Sequence, residues 1–382
     1  MFIANCLFAY TASSIFFPTF ALHMATDLRK ALRFFQMKRI IIPIILGLSV
    51  AVFLIIKDFD REAFNKINWT YYTFLWLFLA IVLQAIRDVA YMYRLRLLTD
   101  KQISWRSSFD VIMLWEFASS ITPSIVGGSA VALFIVHKEG LSVGRSTAVV
   151  MITALLDELF YIVMVPIVIL IVGLNNLFVE SGSFMMNLGS EGVFIAGYAF
   201  ILLLTLIILT GVFISPKGLK TVLVKIFSLR FLKKWKEKAS ETGDDIIATS
   251  KEMKGKSFTF WAKAYGATIF SWTARFWVVN CLIMAFNTVG EHMLIYARQL
   301  IMWVILLISP TPGGSGIAEY AFPIFLGEFI PVGLESALGL LWRIISYYPY
   351  LFIGVIVLPF WIRRVYLKRR LIKFRSEPIK KN

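Results

Sequence analysis

Residues 309–322 read SPTPGGSGIAEYAF and close one of the most apolar stretches of a 382-residue chain that is 59% hydrophobic. Two prolines and three glycines are poor material for continuing a helix, because proline lacks the amide hydrogen and glycine loses the most conformational freedom there. Residues 121–132, ITPSIVGGSAVA, repeat nearly the same phrase. The runs 108–136 and 293–330 are therefore read as helices broken at Pro123, Gly127 and Gly128, and again at Pro310, Pro312, Gly313 and Gly314. Backbone freed by such a break finds no partner in hydrocarbon, so it must be buried in protein or line a polar cavity. The reading that follows is an all-α, polytopic membrane helix bundle with two re-entrant hairpins.

Composition excludes other classes. Only 16% of residues are charged, and several apolar runs are long enough to cross a bilayer. The net charge of +16 does not point to nucleic acid, because the basic residues gather between apolar runs, where cytoplasmic loops face anionic lipid. Cys6 and Cys281 lie in apolar runs and His23, His137 and His292 are scattered, so no metal-ligand spacing appears. No glycine-rich loop ending in Gly-Lys-Ser or Gly-Lys-Thr is present, and no cofactor is expected.

Unbroken spans are expected at 40–56, 70–86, 147–173, 192–214, 265–286 and 338–361. Residues 1–37 are read either as an extra N-terminal helix or as sequence upstream of a start at Met24 or Met37. The remaining divisions are a first membrane half at 38–214, a basic linker at 215–263, a second half at 264–362 and a basic tail at 363–382. The linker carries twelve basic residues against five acidic ones. Loops 174–191 and 327–337 contain glutamates and no Lys or Arg. The bias places linker and tail in the cytoplasm of a cell (inner) membrane and those two loops outside. Counting crossings, 108–136 enters and leaves from the cytoplasm, past a basic loop that includes Arg94 and Arg96, and 293–330 enters and leaves from outside.

The two phrases belong to a longer repeat. Arg87 matches Arg275 at a separation of 188, Pro123 matches Pro310 at 187, and Gly127 matches Gly313 at 186. With the crossing count this is an inverted-topology repeat, whose substrate site is expected at the repeat interface near mid-membrane. Free N–H groups of a half-helix beginning near PGGSG would favour an anion such as a lipid phosphate. The competing reading is that these residues only kink helices or permit close packing.

Arg87, Glu116, Asp157, Glu158, Arg275, Glu319 and Arg343 are the candidate substrate-binding residues. A charge at mid-depth costs about 2.5–3.5 kcal/mol, so each must face a cavity or a partner. The arginines would hold an anionic headgroup, and the carboxylates would orient them or pair with a cationic part of the substrate. Structural ion pairs between the halves are the alternative. In the linker, Phe227, Phe231 and Trp235 recur at four-residue spacing among lysines, which predicts an amphipathic helix on anionic lipid.

The phrases ITPSIVGGSAVALFIVHKEGLSVGRSTAVV and PTPGGSGIAEYAF, with LWRIISYY after them, resemble the lysylphosphatidylglycerol synthase transmembrane region, or flippase-like domain, family from about Lys38 to Arg370. In bifunctional members similar to the multiple peptide resistance factor, this domain is thought to move aminoacylated phosphatidylglycerol between leaflets while a soluble domain makes it. The resemblance implies the translocating part without the synthase. By position it places the acidic residue after the second break at Glu319 and the late arginine at Arg343. One departure is Ala154, where many members carry an arginine three residues before the aspartate.

The expected function is a lipid flippase acting on an anionic or aminoacylated phospholipid, or a polyprenyl-linked lipid. The alternative is a membrane enzyme or accessory subunit of glycolipid or phospholipid synthesis, for which Asp88 and the pair Asp244 and Asp245 are the available carboxylates. Membrane lipids are the expected partners, nucleic acid is not, and a homo-oligomer and a separate lipid-synthesising enzyme stay open.

Overall fold

The computed structural model describes residues 69–122, 124–178, 190–228, 236–307, 309 and 311–376, with a few isolated positions between 49 and 67. The expectations for residues 1–37, for most of the span 40–56, and for Cys6, Pro123, Phe231, Trp235 and Pro310 lie outside the described residues. Twelve α-helices are used below: α1 (Tyr71–Leu98), α2 (Trp105–Ile121), α3 (Ser124–Lys138), α4 (Val143–Val172), α5 (Ser190–Leu209), α6 (Pro216–Ile226), α7 (Lys236–Lys254), α8 (Phe258–Phe286), α9 (His292–Leu307), α10 (Ile317–Leu326), α11 (Glu335–Ser346) and α12 (Tyr348–Ser376). Among the described residues there is no strand.

Hydroxyl side chains set several helix starts. Thr70, Ser104, Ser142 and Ser257 precede α1, α2, α4 and α8, and each accepts the third helical amide hydrogen, satisfying a donor the helix itself leaves free. Five segments are long and apolar enough to cross a membrane: α1, α4, α5 with the π-helical turn that ends it, α8, and α11 with α12. Phe352, Ile356 and Phe360, one helical turn apart on α12, are 64%, 61% and 68% exposed, an apolar stripe suited to lipid. The chain is a multi-pass membrane protein.

Two boundaries differ from the sequence expectation. Helix α1 runs twelve residues beyond residue 86, so Arg94 and Arg96 belong to the helix rather than to a basic loop, and Arg94 is buried. The span expected at 338–361 is two helices that meet at Tyr347. Arg94 is carried inside the longer helix by burial against a partner, whereas Tyr347 is the joint at which one helix ends and the next begins.

Helices α2 and α3, of 17 and 15 residues, are each about 22–25 Å long, short of the ~30 Å hydrocarbon core. They form a hairpin whose open ends lie together. Arg364, near the end of the apolar part of α12, donates to Ser107 at 2.5 Å, pairs with Asp110 at 3.0 Å and also pairs with Glu139 just beyond α3. Helices α9 and α10 form a second hairpin: Arg298 in α9 donates to the carbonyl of Phe325 at 3.2 Å and pairs with Glu328 at 2.8 Å, just past α10. Its Nε–H donates to the carbonyl of Asn176, beyond the end of α4. The first hairpin opens beside the start of α4 and the second beside its end.

Helices α1 and α8 pack along their length and run antiparallel. Trp69 meets Phe286, the Ser271 hydroxyl donates to the Arg87 carbonyl at 3.1 Å, and Arg94 donates to Thr268 at 2.8 Å. Each long helix carries its arginine, Arg87 or Arg275, eleven residues before its last residue, about 16 Å from that end.

The described parts of the basic linker are two helices, α6 and α7, docked on each other, where the sequence reading expected one amphipathic helix. Phe227 is 1% exposed and packs on Ile226 and Ala239, so this aromatic points into the α6–α7 hairpin. Helix α7 sits against the start of α4, where Gly144 leaves no room for a side chain beside Asp245. Arg145 holds Asp100 at 2.6 Å and Glu252 at 2.5 Å, and Lys256 holds Asp100 at 2.6 Å. Burial would raise the Asp100 carboxyl, but hydrogen bonding, above all from Lys256, outweighs it and keeps the group below its ordinary value.

Candidate functional site

The tips of the two hairpins meet inside the bundle. At the second tip the backbone leaves the helix, and Gly313, Gly314 and Gly316 take φ of 57°, 68° and 85°, conformations that L side chains rarely adopt. The first tip is tighter. Gly127 and Gly128 fall inside α3, and a Cβ at Gly128 would meet the Ser119 hydroxyl at 1.9 Å. Glycines thus permit close packing at the first tip and an open backbone at the second. Tyr347 joins the tips: its hydroxyl donates to the Ser120 carbonyl at 3.0 Å and lies 3.1 Å from Ser315 Oγ.

Beside this junction is a cavity of about 260 Å³, bounded by α1 to α5, α8 to α12 and the 309–314 segment. Of the seven charged candidates, Glu116, Asp157, Glu158, Arg275 and Arg343 line it, as do Gly313 and Gly314. Arg87 and Glu319 stand behind the wall, 0% and 3% exposed.

Most of these charges are neutralised within the protein. Arg87 bridges Glu116 at 2.5 Å and Asp88 at 2.7 Å, and Tyr350 donates to Asp88 at 2.8 Å. Arg343 pairs with Glu319 at 2.8 Å and donates to the Gly313 carbonyl at 3.2 Å, while the other Glu319 oxygen accepts the Gly316 amide at 2.7 Å. That pair ties α11 to the start of α10 and fixes the strained glycines. Asp157 accepts both Arg94 nitrogens, at 2.6 and 3.0 Å, and Trp272 Nε1–H at 2.7 Å. Arg94 is the residue that sequence reasoning missed. It lies seven positions after Arg87 on one face of α1, a helical spacing that extending α1 would have shown. Ala154, where the resemblance expects an arginine, lines the cavity, and the cation for Asp157 comes from α1 instead.

Arg275 is different. Among the described residues it makes no ion pair or hydrogen bond. Its guanidinium lies 4.2 Å from the Trp303 ring centre and 5.2 Å from that of Trp272. The two rings offer the guanidinium cation–π contact but no hydrogen-bond acceptor, so its N–H groups stay available to an anion. Tyr161 lines the same cavity, is 3% exposed and has a hydroxyl with no hydrogen-bond partner, although the Arg275 charge reaches it. Glu158 also lines the cavity, and its one hydrogen-bond partner among the described residues is the Thr205 hydroxyl, donating at 3.0 Å.

Two of the three carboxylates that an enzyme reading would use are held by cations. Asp88 belongs to the Arg87 cluster, Asp244 holds Lys220 at 2.6 Å, and Asp245 packs against Gly144. Cys281 is free and buried. Among the described residues no group of His, Cys, Asp and Glu could hold a metal ion.

Fold and cavity together define a polytopic helical membrane protein with ionisable side chains facing a largely apolar chamber inside its bundle. The profile of the lysylphosphatidylglycerol synthase TM region matches residues 40–354, and the chain belongs to that family. It is also 27% identical over 322 residues to a UPF0104 membrane protein of Archaeoglobus fulgidus, covering 81% of this chain and 93% of that relative.

Proposed function

We propose that the protein moves an anionic lipid between leaflets by holding its headgroup in this cavity. The observation that carries the reading is Arg275, a guanidinium inside the bundle with aromatic walls, an unpartnered Tyr161 hydroxyl in the same chamber, and no carboxylate of its own among the described residues. Anion and guanidinium suit each other in a low-dielectric chamber, where a charge-assisted hydrogen bond is strong. A volume near 260 Å³ suits a headgroup, with the acyl chains left in the bilayer.

The inverted repeat supplies the motion. Antiparallel α1 and α8, each with an arginine eleven residues from its end, and hairpins opening at opposite ends support two related halves in opposite orientation. Rocking one half against the other would expose the cavity alternately to each side. The Arg87 and Arg343 pairs serve as fixed structural ties, and Arg275 is the substrate cation.

The test is transbilayer movement of fluorescent phosphatidylglycerol and phosphatidylcholine in proteoliposomes. Headgroup-selective movement of the anionic lipid is expected, with Arg275→Ala slowing it by about tenfold or more, the equivalent of about 1.4 kcal/mol of binding. Arg275→Lys should retain part of the rate. Folded wild-type protein that moves neither lipid, or an Arg275→Ala variant as fast as wild type, overturns the reading.

A further inference from the structure

Resting on that reading, we infer that Glu158 carries a proton through the cavity together with the anionic headgroup, so that lipid movement is driven by a proton gradient. The starting point is the pairing of charges in the chamber. Arg87 is shared by Asp88 and Glu116, Arg94 is held by Asp157, and Arg343 is held by Glu319. Among the described residues Arg275 and Glu158 are the cavity-lining cation and carboxylate that make no ion pair, while Asp88 and Glu116 share the single charge of Arg87.

The surroundings of Glu158 suit a group that gains and loses a proton. From α5, Thr205 donates to it, and the Tyr198 hydroxyl is turned instead to the Ile162 carbonyl at 3.2 Å. On its own helix the neighbours are Asp157, a like charge, and Tyr161. From α1, Arg94 is committed to Asp157, and Tyr91 lies 3.5 Å from that carboxylate. From α8, Tyr265 donates to the Leu159 carbonyl, and Arg275 is stacked on the tryptophans. The wall contributed by α9 is Trp303, Leu306 and Leu307, and Glu116 faces the chamber from α2. A carboxylate with one hydroxyl partner in a membrane interior is stable only when neutral or when a cation arrives, and the proton is the smallest cation.

The charge balance across a transport cycle sets the stoichiometry. With the headgroup bound, its negative charge cancels Arg275, and the chamber is neutral at these two positions only if Glu158 is protonated. With the headgroup gone, the same two positions sum to zero only if Glu158 is ionised, and the Arg87 cluster keeps its own charge in both states. Both neutral states can reorient through a low-dielectric interior, and the two charged states cannot do so cheaply. One anionic lipid therefore moves with one proton in the same direction. In the covalent step an O–H bond forms on Glu158 as the proton leaves hydronium on one side. It breaks to water on the other side, with no oxidation or reduction.

The experiment places fluorescent phosphatidylglycerol in phosphatidylcholine proteoliposomes with an imposed difference of one pH unit. Wild-type protein is expected to enrich the lipid in the leaflet facing the alkaline side, towards the limit of about tenfold that one proton per lipid allows. Glu158→Gln is expected to lose this bias, whereas Glu191→Gln, at an exposed position outside the cavity, keeps it. Equal leaflet distributions for wild type with and without the gradient, while the lipid still moves, overturn the coupling and leave the proposed function standing. Loss of the bias in Glu116→Gln but not in Glu158→Gln overturns the assignment. No movement by folded wild type under either condition overturns the proposed function and the coupling with it. An infrared titration of the purified protein reads Glu158 directly: a protonated-carboxyl band absent from Glu158→Gln is expected, and its absence from wild type at all pH values overturns the proton site.

Discussion

Arg94 and Asp157 show how a single side chain decides whether charge can stay inside this bundle. Arg94 is 1% exposed, and both of its terminal nitrogens are spent on Asp157. Removing one member of a buried pair leaves the other uncompensated, at a cost of about 3–5 kcal/mol, whereas removing both can be nearly neutral. Arg94→Gln should lower the thermal unfolding midpoint in detergent markedly, and Arg94→Gln with Asp157→Asn should recover part of the loss. A single variant as stable as wild type would show that the pair does not hold α1 to α4. At this scale the sequence was only partly legible. Asp157 stood out as a charge in an apolar run, but its partner looked like part of a loop because nothing local said that α1 continues past residue 86.

At the scale of elements, the segment joining α9 and α10 depends on glycine for two separate reasons. Gly313 has φ of 57°, and a Cβ there would lie 2.4 Å from Tyr347 Cε2. Gly140, after α3, has φ of 121° but nothing within 4 Å of its Cβ position. Left-handed backbone costs a non-glycine residue about 1–2 kcal/mol, and displacing Tyr347 adds to that at Gly313 alone. Gly313→Ala should therefore lower the unfolding midpoint more than Gly140→Ala does, and only the former should disturb lipid movement. Equal effects would mean that Tyr347 is not a fixed joint between the hairpin tips. The two Pro/Gly phrases were visible in the sequence as breaks. Their different outcomes were not, because the role of a glycine depends on what comes near it: Ser119 across a helix pair for Gly128, Tyr347 from a distant element for Gly313.

For the whole molecule, the two ends of the bundle carry different chemistry. The end with Asp100, Glu139, Arg145, Lys256 and Arg364 is basic and holds the α6–α7 hairpin. The opposite end, with Asn176, Asn287, Glu328 and Phe329, closes over the second hairpin. In a variant lacking Cys6 and Cys281, Lys251→Cys should react with an impermeant thiol reagent only from the cytoplasmic side, and Val332→Cys only from outside. Both positions are exposed. Labelling of both from one side would refute the opposed hairpins and the two-half arrangement together.

The sequence by itself determined the class, because hydropathy, broken apolar runs and charge placement act locally and need no fold to be read. It also named most of the ionisable residues of the chamber, since each is costly in an apolar run. Only the tertiary structure decided which of those charges are spent on one another and which remain available. That depends on distances between residues far apart in the chain: Arg343 falls on Glu319 and Arg87 on Glu116, while Arg275 falls between two tryptophans and Glu158 beside a single hydroxyl.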